Sequence, residues 1–271
     1  VAASFGTTPV GLARQQGNLK ARIGGRPAAG LAELAETLPV QLVDSQAHLL
    51  VDGSPRYRRQ FLDWGVFHVE PGFFATWQRY QRALQQRNAL LRGGRPAKEL
   101  APWDGELASS GESLDLFRLR YLDGFSQTAE RWSHEALGEL AVSLEYRPGW
   151  PEDQSLAEAL ATNRERDREQ GGTQTGPHRA DILIKVDGRP ARDRISRGQE
   201  KALAGTLLLA QTAVYRAATG RACVLLLDDL PSELDSGHLG RFAGQVIATG
   251  AQTVITAIDN DSLPDTMWSR V

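Results

Sequence analysis

Asp228 and Asp229 stand together at the end of a short apolar run, Ala222-Cys223-Val224-Leu225-Leu226-Leu227. A run of that length following a helical pattern predicts a strand buried on both faces. Two adjacent acids at the carboxyl end of a buried parallel strand are costly unless a positive group meets them. Mg2+ carried with a nucleotide meets that need, because a hard cation takes oxygen ligands beside phosphates. The second group is Ser196-Arg197-Gly198-Gln199. Serine followed three residues later by glutamine is a capping box, which pairs two backbone N–H groups where a helix starts. Ser196, Gly198 and Gln199 then offer a hydroxyl, a bare N–H and the positive helix end to an anion such as a γ-phosphate. Each group also has a plain reading. The acids could be a turn or N-cap pair, and Ser196 could do no more than cap its helix.

The elements that position these residues follow from periodicity. A helix runs from Ser196 through Leu203, Leu207 and Val214 to a stop at Gly220, a residue suited to a left-handed helix end. Leu239 to Ala248 is a short helix, residues 252–258 a second buried strand, and residues 259–271 are polar. Ile182, Ile184 and Val186 alternate before an Asp187-Gly188 turn. Strand and helix alternate from residue 175 onward, which predicts an α/β layer with a parallel sheet. Upstream, residues 1–50 read as short strands with turns, including Leu19–Ile23, the cluster at residues 24–27 and Val40–Val43, with a weak helix over residues 28–37. Residues 71–170 read as mostly helical: Phe73, Phe74, Trp77, Tyr80 and Leu84 form one stripe, and a second stretch from about Glu112 to about Leu140 carries Leu116, Leu119, Leu122, Phe125 and Trp132. A third stretch, Leu156 to Glu169, ends in the charge run 164–169, read as a solvated face.

Composition bounds the possibilities. The 271 residues suffice for one large domain or two lobes, and 41% hydrophobic residues place the chain in the globular range. Lys+Arg 31 against Asp+Glu 33 gives a net charge of −2, so DNA contact requires a local basic patch. One cysteine excludes an internal disulfide framework and fits a reducing cytoplasm. No apolar run approaches the ~18 residues of a membrane span, and no heptads extend into a coiled-coil arm. The histidines and the cysteine show no metal-ligand spacing.

Ser196-Arg197-Gly198-Gln199-Glu200-Lys201 resembles the signature sequence of ABC-type ATPases, Leu225–Asp229 their Walker B strand, and Ser232-Glu233-Leu234-Asp235 their D-loop. The run Gly53–Asp63, Gln86-Arg87-Asn88, and Gly176-Pro177-His178-Arg179 narrow the resemblance to the RecF family. That resemblance implies a P-loop NTPase fold: an ABC-type ATPase head with a parallel or mixed sheet lobe and an inserted helical lobe. The divisions implied are residues 1–54 for the rest of an N-terminal ATPase lobe, 55–171 for the helical lobe, and 172–271 for the C-terminal part of the ATPase lobe. It also implies ATP and Mg2+ as cofactors. Asp228 would hold Mg2+, and Asp229 would orient the attacking water with a side chain one methylene shorter than the usual Glu. Ser196, Arg197, Gly198 and Gln199 would meet the nucleotide of a second protomer, with Asp235 at the dimer seam. The family role would be an ATP-dependent homodimer on gapped or single-stranded DNA. It would aid loading of RecA with RecO and RecR in replication-fork repair and the SOS response.

A P-loop needs a Gly-Lys pair, and none of Lys20, Lys98, Lys185 or Lys201 follows a glycine. The family carries that loop near its N-terminus. The chain opens on Val1 rather than Met, in what reads as mid-domain sequence, so a fragment is expected. Arg56, Arg58 and Arg59 with Tyr57 form the sharpest basic patch. They could track phosphates, or form an ion-pair cluster at a lobe junction, for instance with Asp63. His178 and Arg179 could lie near the nucleotide, although a hydrogen-bonded structural histidine is the preferred reading. The alternatives to a RecF-like ATPase are a transporter motor, a Rad50- or SMC-like head, and a non-catalytic DNA- or partner-binding scaffold.

Overall fold

The computed structural model describes residues 2–5, 8–15, 18–229 and 236–257. The chain begins as an antiparallel meander in which β1 (Ala2–Phe5), β2 (Thr8–Gln15), β3 (Asn18–Ile23) and β4 (Arg26–Pro27) pair in chain order. Gly24 and Gly25 make the turn that links β3 to β4, so only the first half of the turn cluster expected at residues 24–27 is turn. The weak helical stretch becomes α1 (Leu31–Thr37), which buries no residue. β5 (Val40–Val43) then leaves the meander for a different sheet.

Proline at the first helical position costs no hydrogen bond, and Pro55 opens α2 (Pro55–Val69) on that principle. α3 (Phe73–Arg92) buries Phe73, Tyr80 and Leu84 of the predicted stripe. α4 starts at Ala97 rather than near Glu112 and runs unbroken to Leu137 over 41 residues. Pro102 and the glycines at 105 and 111 lower its local propensity, and packing along α3 overrides them. Leu122, Phe125 and Trp132 are buried, whereas Leu116 and Leu119 are 60% and 46% exposed. The third helical stretch breaks at Asn163 into α5 (Leu156–Thr162) and α6 (Arg164–Gln170). Its charge run is not wholly solvated either, because Asp167 is fully buried.

A strand lies inside the region read as helical. β6 (Val142–Arg147) pairs antiparallel with β7 (Asp181–Val186), which pairs with β8 (Arg189–Pro190) across the Asp187-Gly188 turn. Ile182, Ile184 and Val186 of β7 face the core as expected. This sheet is antiparallel, so the parallel sheet expected from residue 175 onward starts later and recruits a strand from far upstream. Its order is β10 (Gln252–Ile255), β9 (Val224–Leu227), β5, with both pairings parallel. Between them in sequence run α7 (Arg197–Thr219), closed by Gly220 at φ 70°, and α8 (Ser236–Thr249). Only one face of the parallel sheet is buried among the described residues. Leu225 and Leu227 are covered, while Leu42 and Val254, aligned on either side of Leu226, are 48% and 51% exposed. The expectation of strands buried on both faces is corrected accordingly. No helix among the described residues is long and apolar enough to cross a membrane.

Candidate functional site

The parallel register brings the carboxyl ends of β5, β9 and β10 level, with Val43, Leu227 and Ile255 side by side. Asp228 and Asp229 leave the central strand at that edge. The Asp228 N–H donates to Val43 O at 2.9 Å and the Thr256 N–H to Leu227 O at 2.9 Å, so the ladder continues one step past the strands. The Thr256 hydroxyl donates to Asp228 Oδ1 at 2.5 Å and accepts from the Asp229 N–H at 3.0 Å. Asp229 adopts a left-handed φ of 49°, a conformation that aspartate tolerates better than most residues, and its N–H also reaches Thr256 O at 3.2 Å. The Asp228 carboxylate is exposed at this edge. The Asp228 carboxylate, oriented by the Thr256 hydroxyl, offers oxygen donors at this edge, and Mg2+ is commonly held by one or two carboxylates completed by phosphates and water. The residues present fit that ion. Thr256 lies within a strand foreseen from the sequence, but its place beside Asp228 depends on the order of the sheet, which no local pattern reveals.

The second group forms at the start of α7. Both halves of the capping box are present: Ser196 Oγ accepts from the Gln199 N–H at 3.3 Å, and Gln199 Oε1 accepts from the Ser196 N–H at 3.0 Å. The Ser196 hydroxyl proton is left to donate outward, so capping and anion contact are compatible. A Cβ placed on Gly198 would meet nothing within 4 Å, so packing within the chain does not demand glycine there. Arg197 extends along the surface, donating to Asp52 Oδ2 at 2.6 Å and to the buried Glu200 at 3.3 Å. The helix behind this exposed end is anchored by Leu203, Leu207 and Leu209, all fully buried, and by Gln211 donating to Phe61 O. A rigid helix end facing solvent holds its unpaired N–H groups in place. The two groups have separate partners, Thr256 for the acids and Asp52 with Glu200 for Arg197. Asp235 and the Ser232–Asp235 run lie outside the described residues.

The basic patch divides. Arg58 is buried: its guanidinium grips Asp181 through two hydrogen bonds of 2.7 and 3.0 Å and donates to Gly53 O. That contradicts a phosphate-tracking role for Arg58. The ion-pair alternative holds, but with Asp181 rather than Asp63, which is gripped by Arg118. Arg59 is partly buried and donates to Ala180 O at 2.8 Å, and burial holds its pKa below the ordinary arginine value. Arg56 alone of the three is exposed, with no ion pair among the described residues. A second buried guanidinium was not foreseen. Arg87 bonds Asp104 and Asp167 at 2.6 Å each and Thr173 Oγ1 at 2.8 Å.

His178 is structural. Its Nε2 lies 2.9 Å from Thr173 O and its Nδ1 2.6 Å from the Tyr80 hydroxyl. A carbonyl can only accept, so Nε2 carries the proton and Nδ1 accepts from Tyr80. Burial pushes its pKa down to about 4, and burial does the same to His68. Both are neutral when folded and take up a proton near pH 6.5 when unfolded. Their contribution is thus complete above pH 6.5 and is lost as pH falls toward 4. Urea unfolding is expected to show each histidine costing about 1–2 kcal/mol between pH 7.5 and 5. A flat profile across that window would contradict this assignment.

No protein-family model matches the chain. Among curated proteins it is 42% identical over 260 residues to the DNA replication and repair protein RecF of Thioalkalivibrio sulfidiphilus, covering 96% of this chain and 72% of that one. It is 40% identical over 258 residues to RecF of Vibrio cholerae, covering 95% and 71%. Among solved structures it superposes on the recombination mediator protein RecF with ATP in the RecFOR pathway. That match has a TM-score of 0.83 at 22% identity, with 96% of this chain and 73% of that one covered.

Proposed function

From the premise that the chain belongs to the RecF family of DNA replication and repair proteins and has its ABC-type ATPase fold, we propose that it is the signature-bearing part of an ATP-dependent, DNA-binding dimer. The observation that carries this reading is the pairing of two exposed features, the acids at the carboxyl edge of the parallel sheet and the rigid, open N-terminus of α7. Mg2+ bound with ATP would neutralise phosphate charge at the Asp228 edge. Asp228 would hold that ion, with Thr256 fixing the carboxylate's orientation. Asp229 would position the attacking water, and its short side chain predicts slow turnover. Ser196, Gly198 and Gln199 would donate to the γ-phosphate of a nucleotide held by the other protomer. Arg197 would join them only by giving up Asp52, and Asp235 would lie at the dimer seam. DNA contact falls to Arg56, with Arg59 beside it.

The wider role follows the family. The dimer would close on gapped or single-stranded DNA, work with RecO and RecR to load RecA, and serve the SOS response in the cytoplasm. The divisions at residues 54 and 171 belong to the same proposal, with β6 of the middle segment pairing with β7 of the last.

The test rests on the lysines, none of which follows a glycine as a P-loop requires. Titrated with a fluorescent ATP analogue and Mg2+, the 271-residue chain should show no saturable binding. Fusing ahead of Val1 a segment that carries a Gly-Lys phosphate loop of the P-loop type should restore it. Ser196→Asp in that fusion keeps a good N-cap but places a carboxylate against the phosphate. It should leave thermal stability nearly unchanged and abolish ATP-dependent dimerisation. Saturable binding by the chain alone would mean the phosphate site is elsewhere, and dimerisation by Ser196→Asp would overturn the role of Ser196.

A further inference from the structure

Leu116 and Leu119 sit on the outer side of α4, among the most exposed large apolar side chains described. They form one wall of a groove of about 550 Å3, and Tyr146, Pro148 and Trp150 of the β6 end form much of the other. The acids lining it are Glu112, Asp115 and Glu152, and no lysine or arginine lines it. Of the arginines next in sequence, Arg118 is buried behind the groove, where it pairs with Asp63 and also faces Tyr146 and Asp115, while Arg120 and Arg147 pair with Glu70 and Glu145. Asp115 accepts from the Tyr146 hydroxyl and Glu112 from the Leu156 N–H, so both walls are braced and the groove is preformed.

We propose that this groove docks a segment of a partner protein carrying lysine or arginine beside large apolar side chains. The apolar floor supplies burial, at about 25 cal/mol per Å2 of surface removed from water. The one-signed rim selects charge, and it repels nucleic acid. A groove of this size takes a few anchor side chains, as in recognition of an amphipathic helix. The inference does not depend on the nucleotide reading, since none of these residues belongs to that site.

The test is fluorescence anisotropy on the full chain with a labelled twelve-residue peptide of leucine and lysine in helical alternation. Two control peptides replace every lysine by glutamate or every leucine by serine. Binding of the leucine-lysine peptide at least tenfold tighter than either control is expected. The double variant Leu116→Ser/Leu119→Ser should weaken it at least tenfold with an unchanged circular-dichroism spectrum, and Glu152→Lys about threefold. No binding, equal binding of the acidic peptide, or equal binding by the double variant would overturn the proposal. So would concentration-dependent self-association of the chain that the double variant abolishes, because a second copy would then be the occupant.

Discussion

Arg87→Ala should produce the largest loss of stability of any single side-chain truncation in this protein. The guanidinium is fully buried and bonded to Asp104, Asp167 and Thr173, and Asp167 is itself fully buried. Replacing a buried ion pair by matched apolar groups can be neutral, but removing one partner strands a charge in low dielectric. A cost of about 3–5 kcal/mol follows. For a chain of 271 residues that is a fall of roughly 5–10 °C in Tm. Adding Asp167→Asn should return part of the loss, because it removes the stranded charge while its remaining oxygen can still accept from the Gln174 N–H. Equilibrium urea unfolding of the single and double variants checks both. A loss below about 1 kcal/mol for Arg87→Ala would show that water reaches Asp167.

Gly149→Ala should be nearly as severe, for a backbone reason. Gly149 has φ 94°, and its carbonyl accepts from the Gly176 N–H at 3.1 Å, which ties the bend after β6 to the turn at residues 176–180. A Cβ there would lie 2.4 Å from Gly176 O and 2.7 Å from Ala180 N. Both are backbone atoms that cannot rotate away. Left-handed strain and the forced separation together should cost about 3 kcal/mol or more. Gly105→Ala is the matching control, since a Cβ on that helical glycine meets nothing within 4 Å and should stabilise by roughly 0.5–1 kcal/mol. Differential scanning calorimetry of the two variants should move Tm in opposite directions.

What could be read in the sequence was what is decided locally. The capping box at Ser196 and Gln199 involves four residues, and the helix end at Gly220 one; both stand where the pattern put them. The Asp187-Gly188 turn is equally local. The acid pair was visible, but Thr256, 28 residues from Asp228, becomes its neighbour only once β10 is laid beside β9. The partner of Arg58 was hidden for the same reason, because Asp181 is 123 residues away, whereas Asp63, the acid offered as an example, lies on the same helix. β6 was missed although Val142, Leu144 and Tyr146 alternate, since the long helix before it dominated the window. The exposure of Leu116 and Leu119 broke a rule of another kind, for periodicity marks an apolar face but not whether anything covers it.

The inward-turned arginines also change how the protein should respond to salt. Arg58, Arg87 and Arg118 are consumed by Asp181, by Asp104 with Asp167, and by Asp63, with each guanidinium largely buried. Raising ionic strength screens charges at the surface and leaves enclosed pairs nearly untouched. Folding stability should therefore barely respond across a range of salt in which any attraction of Arg56 for a polyanion fades. The two populations of arginine, indistinguishable in the composition, separate along that single axis.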